Sequence, residues 1–140
     1  MAHAAEIFGD RWVLLILREC FYGIARFEDL RADLDAPRAI LSQRLTFLVS
    51  RGLLERTAYR EAGSRTRYEY QLTRAGLEAI LVLLALREWG ERNVLGENSQ
   101  TQLVERATGK PLHIVLMTSE GAAVDPQDIE VRPKEGLSPA

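Results

Sequence analysis

The sequence has few of the residues from which catalytic and metal centres are built. It contains one cysteine, Cys20, and two histidines, His3 and His113, among 140 residues. A single cysteine excludes an intramolecular disulfide and is typical of a reducing cytoplasm, and these widely spaced side chains do not compose a zinc site. No glycine-rich phosphate loop and no nucleophile–base constellation stands in the sequence. We therefore expect no enzyme activity, no metal and no cofactor.

Long apolar runs are also missing. The most apolar stretch covers residues 79–86, whereas a bilayer-spanning helix needs about 20 residues. The first residues lack a basic segment followed by a long apolar run, so we expect no signal peptide, no membrane partner and a cytoplasmic location. Hydrophobic residues make up 46% of the chain, enough for a core. We expect one domain at residues 1–95 and an extension at residues 96–140.

Positive charge does not exceed negative charge over the whole chain, but it is concentrated in one segment. The net charge is -2, yet residues 38–67 carry seven arginines against two glutamates, a local charge of +5. A basic patch on an acidic body is typical of proteins that bind nucleic acids. The alternative is arginine scattered over a solvated surface. The seven are Arg38, Arg44, Arg51, Arg56, Arg60, Arg65 and Arg67.

The basic segment lies within a helix-turn-helix pattern. A first helix is predicted from Asp10, a good N-cap, to about Cys20, and its six consecutive apolar residues indicate burial nearly all round. A short amphipathic helix follows at residues 26–34. Asp35-Ala36-Pro37 makes the turn from this short helix into the second helix of the helix-turn-helix, at residues 37–51. That helix has proline at its first position and Gly52 after its end.

This second helix has one apolar and one polar face. Leu41, Leu45 and Leu48 share a face, and a stripe of small or hydrogen-bonding residues lies opposite. Such side chains can contact base edges or phosphates in the major groove. Arg44 lies about 60° from Leu41, so we expect it to brace the fold, with DNA contact as the alternative. The stripe is Ala39, Ser42, Gln43, Thr46 and Ser50.

A two-stranded ribbon with a basic tip follows. Residues 53–60 and 68–72 alternate as strands, and residues 61–66 have the composition of a hairpin turn. Long cations at such a tip can follow a phosphate backbone or enter the minor groove, whereas the alternative is a solvated hairpin. The pattern predicts an α+β winged helix-turn-helix that binds double-stranded DNA. Candidate groove contacts are Arg38, Ser42, Gln43 and Thr46, and candidate wing contacts are Arg60, Ser64, Arg65 and Arg67.

A long last helix, from a Thr73 cap to about Asn93, has two apolar faces. One face holds Leu77, Ile80, Leu81 and Leu84, and the other holds Ala79, Val82, Leu86 and Trp89. A helix with two apolar faces needs two partners. We expect a homodimer with Trp12, Val82, Leu86 and Trp89 at its interface, and coverage by the C-terminal tail is the alternative. The tail itself is predicted to be a small β appendage, with strands at residues 112–117 and 129–132.

Five strings of the sequence stand in a recognisable order and spacing. They are Gly9–Trp12 leading into Leu14–Glu19, Arg26–Leu30, Leu41–Leu45, Gly52–Arg56, and Tyr68–Tyr70 through Leu72–Gly76. Together they resemble the HxlR family of bacterial transcriptional regulators, over roughly residues 7–93. The resemblance implies a homodimeric winged helix-turn-helix regulator on a pseudo-palindromic operator. It further implies that the helix from Pro37 enters the major groove and that the ribbon after Tyr59 is the wing.

Two other functions compete with this interpretation. A winged-helix protein-interaction module would carry acidic or apolar residues at the tip, where this chain has arginine. A DNA-binding sensor would respond to a small effector or an oxidant. Many family members sense oxidants through a cysteine before the first helix, and no cysteine precedes Gly9 here. Cys20, late in a buried helix, is expected to be packed and inert rather than a redox sensor.

Overall fold

The structure is a computed structural model that describes residues 1–63, 65–96 and 101–132. It divides into two units, Met1–Trp89 and Gly90–Ala140. The first unit is α+β, and its elements after α1 follow the order that the sequence predicts. Its elements are α1 (Ala2–Phe8), α2 (Arg11–Phe21), α3 (Phe27–Asp33), α4 (Arg38–Ser50), β1 (Leu54–Tyr59), β2 (Arg67–Leu72) and α5 (Arg74–Gly90).

Helix α2 runs through the centre of the first unit. As predicted, Asp10 caps it: the carboxylate oxygen Oδ1 accepts hydrogen bonds from the amides of Trp12, at 2.8 Å, and Val13, at 3.3 Å. Its buried apolar face packs in a core with leucines of α3 and α4. The expectation of burial nearly all round is wrong, because the helix exposes Arg18 and Phe21 on its other side.

The helix-turn-helix is formed by α3 and α4. Between them Asp35 takes a positive φ of 45°, and the buried Ala36 closes the turn against the core. Pro37 is the N-cap of α4 and not its first residue, so the helix begins one residue later than predicted. Gly52 follows the helix with a φ of 70°, a left-handed conformation that glycine adopts without a Cβ penalty.

Strands β1 and β2 form an antiparallel hairpin in which Leu54 lies opposite Leu72 and Tyr59 opposite Arg67. A third segment, not predicted from the sequence, joins the hairpin. The chain just before α3 is extended, Arg26 forms a bridge with Glu69, and the amide of Tyr70 donates to the carbonyl of Ala25 at 2.8 Å. The hairpin is therefore fixed to the helix-turn-helix along β2.

Helix α5 buries a narrower face than expected. Thr73 caps it by accepting from the amide of Gly76 at 3.0 Å, and Gly76, Ala79 and Ile80 are buried. The assignment of Ala79 to the outer face is wrong. So is the assignment of Leu77 and Leu81 to the inner face, since both are exposed. Small side chains let the helix approach the hairpin closely, which turns these leucines outward. After Gly90 a π-helical stretch, Glu91–Leu95, continues the chain.

The second unit contains the small β appendage. Strand β3 (Leu116–Met117) pairs with β4 (Ala123–Val124), and a 3-10 turn, Pro126–Asp128, follows. The predicted strand at residues 129–132 is wrong, because the partner of β3 comes earlier in the chain. Within the parts of both units that are described, no helix is long and apolar enough to cross a membrane.

Candidate nucleic-acid interface

Helix α4 presents a polar outer face. Leu41, Leu45 and Leu48 are fully buried, as their spacing predicts. The opposite stripe of Ala39, Ser42, Gln43, Thr46 and Ser50 is exposed along its whole length. The core face thus fixes which side chains α4 offers to a partner.

The hydroxyl groups of this stripe are directed by the helix itself. Thr46 Oγ1 donates to the carbonyl of Ser42 at 3.0 Å, and Ser50 Oγ donates to the carbonyl of Phe47 at 2.7 Å. A hydroxyl group has one proton and two lone pairs. Because the protons are used within the helix, both oxygens are prepared to accept hydrogen bonds from outside.

Arg44 braces the fold, as its angular position predicts. Its Nε donates to Asp10 Oδ2 at 2.7 Å, and the two side chains are 28% and 29% exposed. Partial burial opposes ionisation of Asp10, but the amides of Trp12 and Val13 and the Arg44 guanidinium outweigh it and lower the pKa of this carboxyl. One carboxylate therefore caps α2 and holds α4 at the same time.

The side chain of Arg38 contacts two residues of α3. Its guanidinium forms an ion pair with Glu28 of α3 and lies 5.2 Å from the ring centroid of Phe27. Glu28 also accepts from Arg31 at 3.2 Å. Desolvation acts to raise the pKa of the Glu28 carboxyl, but the hydrogen bonds and charges of these two arginines together outweigh it and lower that pKa. The pair fixes the first turn of α4 to α3, a contact across the turn that the sequence did not reveal.

A cleft of about 550 Å³ separates the first turn of α4 from the hairpin. It brings together three arginines that are far apart in the sequence: Arg38 on one side, and Arg65 and Arg67 on the other. Arg60 is exposed nearby in the chain, and Ser64 lies outside the described residues. Of the groove candidates, Arg38 thus shares this cleft with the wing candidates Arg65 and Arg67.

Arg56 of the basic segment, and Arg26 before that segment, are engaged in the hairpin. The Arg56 guanidinium lies 4.3 Å from the ring centroid of Tyr68, and that of Arg26 lies 4.6 Å from the ring centroid of Tyr59. Arg26 Nη1 also donates to Glu61 Oε1 at 3.1 Å. These contacts support the ribbon, so the count of seven arginines overstates the number available for a ligand.

The outer face of α5 is apolar. Leu77, Leu81, Val82, Leu86 and Trp89 are all exposed, Leu81 by 63% and Trp89 by 62%. A contiguous apolar patch on a helix is typical of an interaction surface. Trp12 is only half-buried, and the Arg11 guanidinium lies 5.0 Å from its ring centroid.

Cys20 is a poor nucleophile. It packs against the core, and burial, with the charge of Glu19 beside it, raises the pKa of its thiol to about 12. The reactive thiolate is therefore rare at neutral pH. Across residues 1–63, 65–96 and 101–132, no three His, Cys, Asp or Glu side chains are grouped as metal ligands.

A helix-turn-helix whose second helix exposes a polar stripe beside a basic hairpin defines a winged helix-turn-helix protein. The chain belongs to the HxlR-like helix-turn-helix family, whose model matches residues 7–98. It is 43% identical over 91 residues to MT3179 of Mycobacterium tuberculosis (strain CDC 1551 / Oshkosh), named an uncharacterized HTH-type transcriptional regulator. This match covers 65% of the chain but 56% of that relative, so the chain matches little more than half of the relative's length.

Two solved structures are similar over nearly the whole chain. PA1374 from Pseudomonas aeruginosa is 33% identical, with a TM-score of 0.72 over 98% of this chain and 93% of that one. PA1607 is 31% identical, with a TM-score of 0.80 over 91% of this chain and 89% of that one. The similarity therefore includes the second unit.

Proposed function

We propose that the chain is a homodimeric, sequence-specific regulator of transcription that binds double-stranded DNA. The observation that carries this proposal is the exposed polar stripe of α4, on a helix whose first turn, at Arg38, shares a cleft with Arg65 and Arg67 of the hairpin. Helix α4 is the recognition helix and enters the major groove through Ser42, Gln43 and Thr46. Arg60, Arg65 and Arg67 contact the backbone or the minor groove. The names of the curated relatives agree with this role.

Arg38 has a narrower role in this proposal than the residues of the stripe. Its ion pair with Glu28 and its position over Phe27 hold it at the mouth of the cleft. From there it reaches a phosphate beside the groove more readily than a base edge, because a base contact would require it to leave Glu28. Ser64 stays a candidate on the sequence pattern alone.

A second copy of the chain covers the outer face of α5. Val82, Leu86 and Trp89, with the accessible edge of Trp12, form the centre of this interface. Burial of a large apolar side chain contributes about 1.5–3 kcal/mol, so Val82, Leu86 and Trp89 of each protomer supply a substantial apolar contribution. Two-fold symmetry then presents two recognition helices to a pseudo-palindromic operator, with half-site centres about 34 Å apart. The proposed location is the cytoplasm.

Selection of bound fragments from sheared genomic DNA tests this function. We expect the wild-type protein to enrich fragments that share a two-fold-related motif. Gln43→Ala should relax the base preference at one position per half-site by about 1–3 kcal/mol. Gln71→Ala serves as the matched control, because Gln71 is an exposed glutamine on β2 whose amide contacts Glu69. A wild-type protein that enriches no motif, yet binds another protein, is instead an interaction module.

The sensor alternative is weaker in this molecule. The raised pKa of Cys20 disfavours oxidation, since oxidants attack the thiolate. No residue identifies a small effector, and binding of one to the folded protein would be detected as a rise in Tm at saturating ligand.

A further inference from the structure

Three side chains from two helices form a hydrogen-bonded series that ends on the surface of α4. Asp10, at the start of α2, accepts from Nε of Arg44 at 2.7 Å. Arg44 in turn donates from Nη1 to Oε1 of Gln43 at 3.0 Å. We call these three residues the relay. Its first two members are part-buried and its last is exposed.

The relay fixes which end of the Gln43 amide faces outward. A carboxamide offers one acceptor oxygen and one NH₂ donor. An arginine guanidinium can only donate, so the oxygen must be the atom that faces Arg44. In the part of the chain that the structure describes, no group accepts a hydrogen bond from Gln43 Nε2. The outward group of Gln43 is therefore its NH₂ donor.

We propose that the relay makes Gln43 a donor-only reader that selects guanine in the major groove. Guanine presents two acceptors there, N7 and O6, and the NH₂ group has two hydrogens. A glutamine usually pairs with adenine by donating to N7 and accepting from the N6 amino group with its oxygen, and in the relay that oxygen is turned toward Arg44. Cytosine presents only a donor. Arg44 and Asp10 are thus positioning residues for base selection, and this inference rests on the proposed function.

Two variants interrupt the relay without removing the recognition helix. Arg44→Lys keeps a cation for Asp10 but removes the second arm that reaches Gln43. Asp10→Asn keeps a good N-cap, since the amide oxygen can still accept from Trp12 and Val13, while its NH₂ group cannot accept from Arg44. Gln43→Glu is a third variant at an exposed position, so its effect on the fold is small. It keeps the bond to Arg44 and replaces the outward donor by an acceptor.

The test is selection from a randomised duplex library, with a salt titration of each variant on the wild-type operator. We expect wild type to prefer guanine over adenine roughly tenfold at one position per half-site. Gln43→Glu should lose that preference. Arg44→Lys and Asp10→Asn should admit adenine at the same position, while other positions and the salt slope stay unchanged. A loss spread evenly over all positions is the result expected of a merely structural role.

Three results would overturn the inference. They are retention of the guanine preference by Gln43→Glu, an unchanged profile in both relay variants, and relaxation at every position at once. If Arg44→Lys does not fold, as judged by circular dichroism, the other two variants still decide the question. A wild-type protein that selects no sequence overturns the proposed function, and the inference with it.

Discussion

Replacement of Arg65 by alanine should weaken DNA binding in a way that depends on salt but not on sequence. Arg65 is exposed at the hairpin, lines the same cleft as Arg38, and pairs with no carboxylate among the described residues. Each phosphate that a cation neutralises adds about 0.9 to the slope of log affinity against log salt. A homodimer carries two copies of Arg65, so Arg65→Ala should lower the slope by about 1.8.

This change in slope has a large effect on measured affinities. Between about 50 and 200 mM salt, a slope difference of about 1.8 corresponds to roughly a 12-fold difference in how much affinity is lost. Fluorescence anisotropy with a labelled operator and an unrelated duplex measures both slopes. The loss at low salt should be the same on the two duplexes, because a phosphate contact carries no sequence information.

Two controls separate a contact from a general change in charge. Arg65→Lys should keep the wild-type slope, since a lysine also neutralises a phosphate. Arg74→Ala makes the same change in net charge at the start of α5, where Arg74 pairs with Glu78 at 2.9 Å. An unchanged slope in Arg65→Ala, or an equal drop in Arg74→Ala, would refute the assignment of Arg65 as a phosphate contact.

Three further predictions concern the folded protein alone. In native protein at neutral pH, Cys20 should react with a maleimide roughly 40-fold more slowly than an ordinary thiol. A pKa of about 12 makes its thiolate roughly 1000-fold rarer, and the greater nucleophilicity of the more basic thiolate recovers only part of that factor. Rapid labelling without denaturant would contradict this. Gly76→Ala should lower Tm by roughly 10 °C, since an added Cβ would lie 2.1 Å from the carbonyl oxygen of Leu53; an unchanged melting curve would contradict the close approach. The pKa of Asp10 is lowered on folding. The difference in unfolding free energy between wild type and Asp10→Asn should therefore be constant above about pH 5 and shrink as pH falls below about 4. Urea titrations at several pH values measure this difference, and one that does not shrink in acid would contradict the prediction.

The helix-turn-helix was predictable because its signals are local. The spacing of Leu41, Leu45 and Leu48 is the spacing of one helix face, and burial of that face leaves Ser42 and Gln43 outward. The cap at Asp10 was equally visible, since an aspartate before an apolar run is a common helix start. Periodicity and capping chemistry were therefore sufficient to predict most of the helices of the first unit.

The contacts that refine the interface were not predictable in the same way. Arg38 with Glu28, and Arg26 with Glu69, join residues whose proximity is decided by how the turn and the ribbon pack. A sequence shows that an arginine and a glutamate are present, but not which pairs meet. The sequence also gave no means of separating Arg56, engaged with an aromatic ring, from arginines at the tip.

The inner face of α5 was mispredicted for a related reason. Apolar residues occupy most of its circumference, so their period alone does not select the buried side. Gly76 and Ala79 decide it, because small residues permit the closest approach of the helix to the start of β1. Hydrophobicity alone places Leu77 and Leu81 on the inner face, whereas side-chain size decides which face is buried.

The double use of Asp10 has a consequence for engineering. A new operator preference is usually sought by grafting a recognition helix, here residues 38–50, from a relative. In this fold the orientation of that helix depends on a carboxylate 34 residues before Arg44 in the chain. A grafted helix without arginine at position 44 would leave Asp10 without its partner. A helix taken from a relative that lacks the aspartate would have no residue suited to pair with Asp10. The transferable unit is therefore the helix together with the cap of α2.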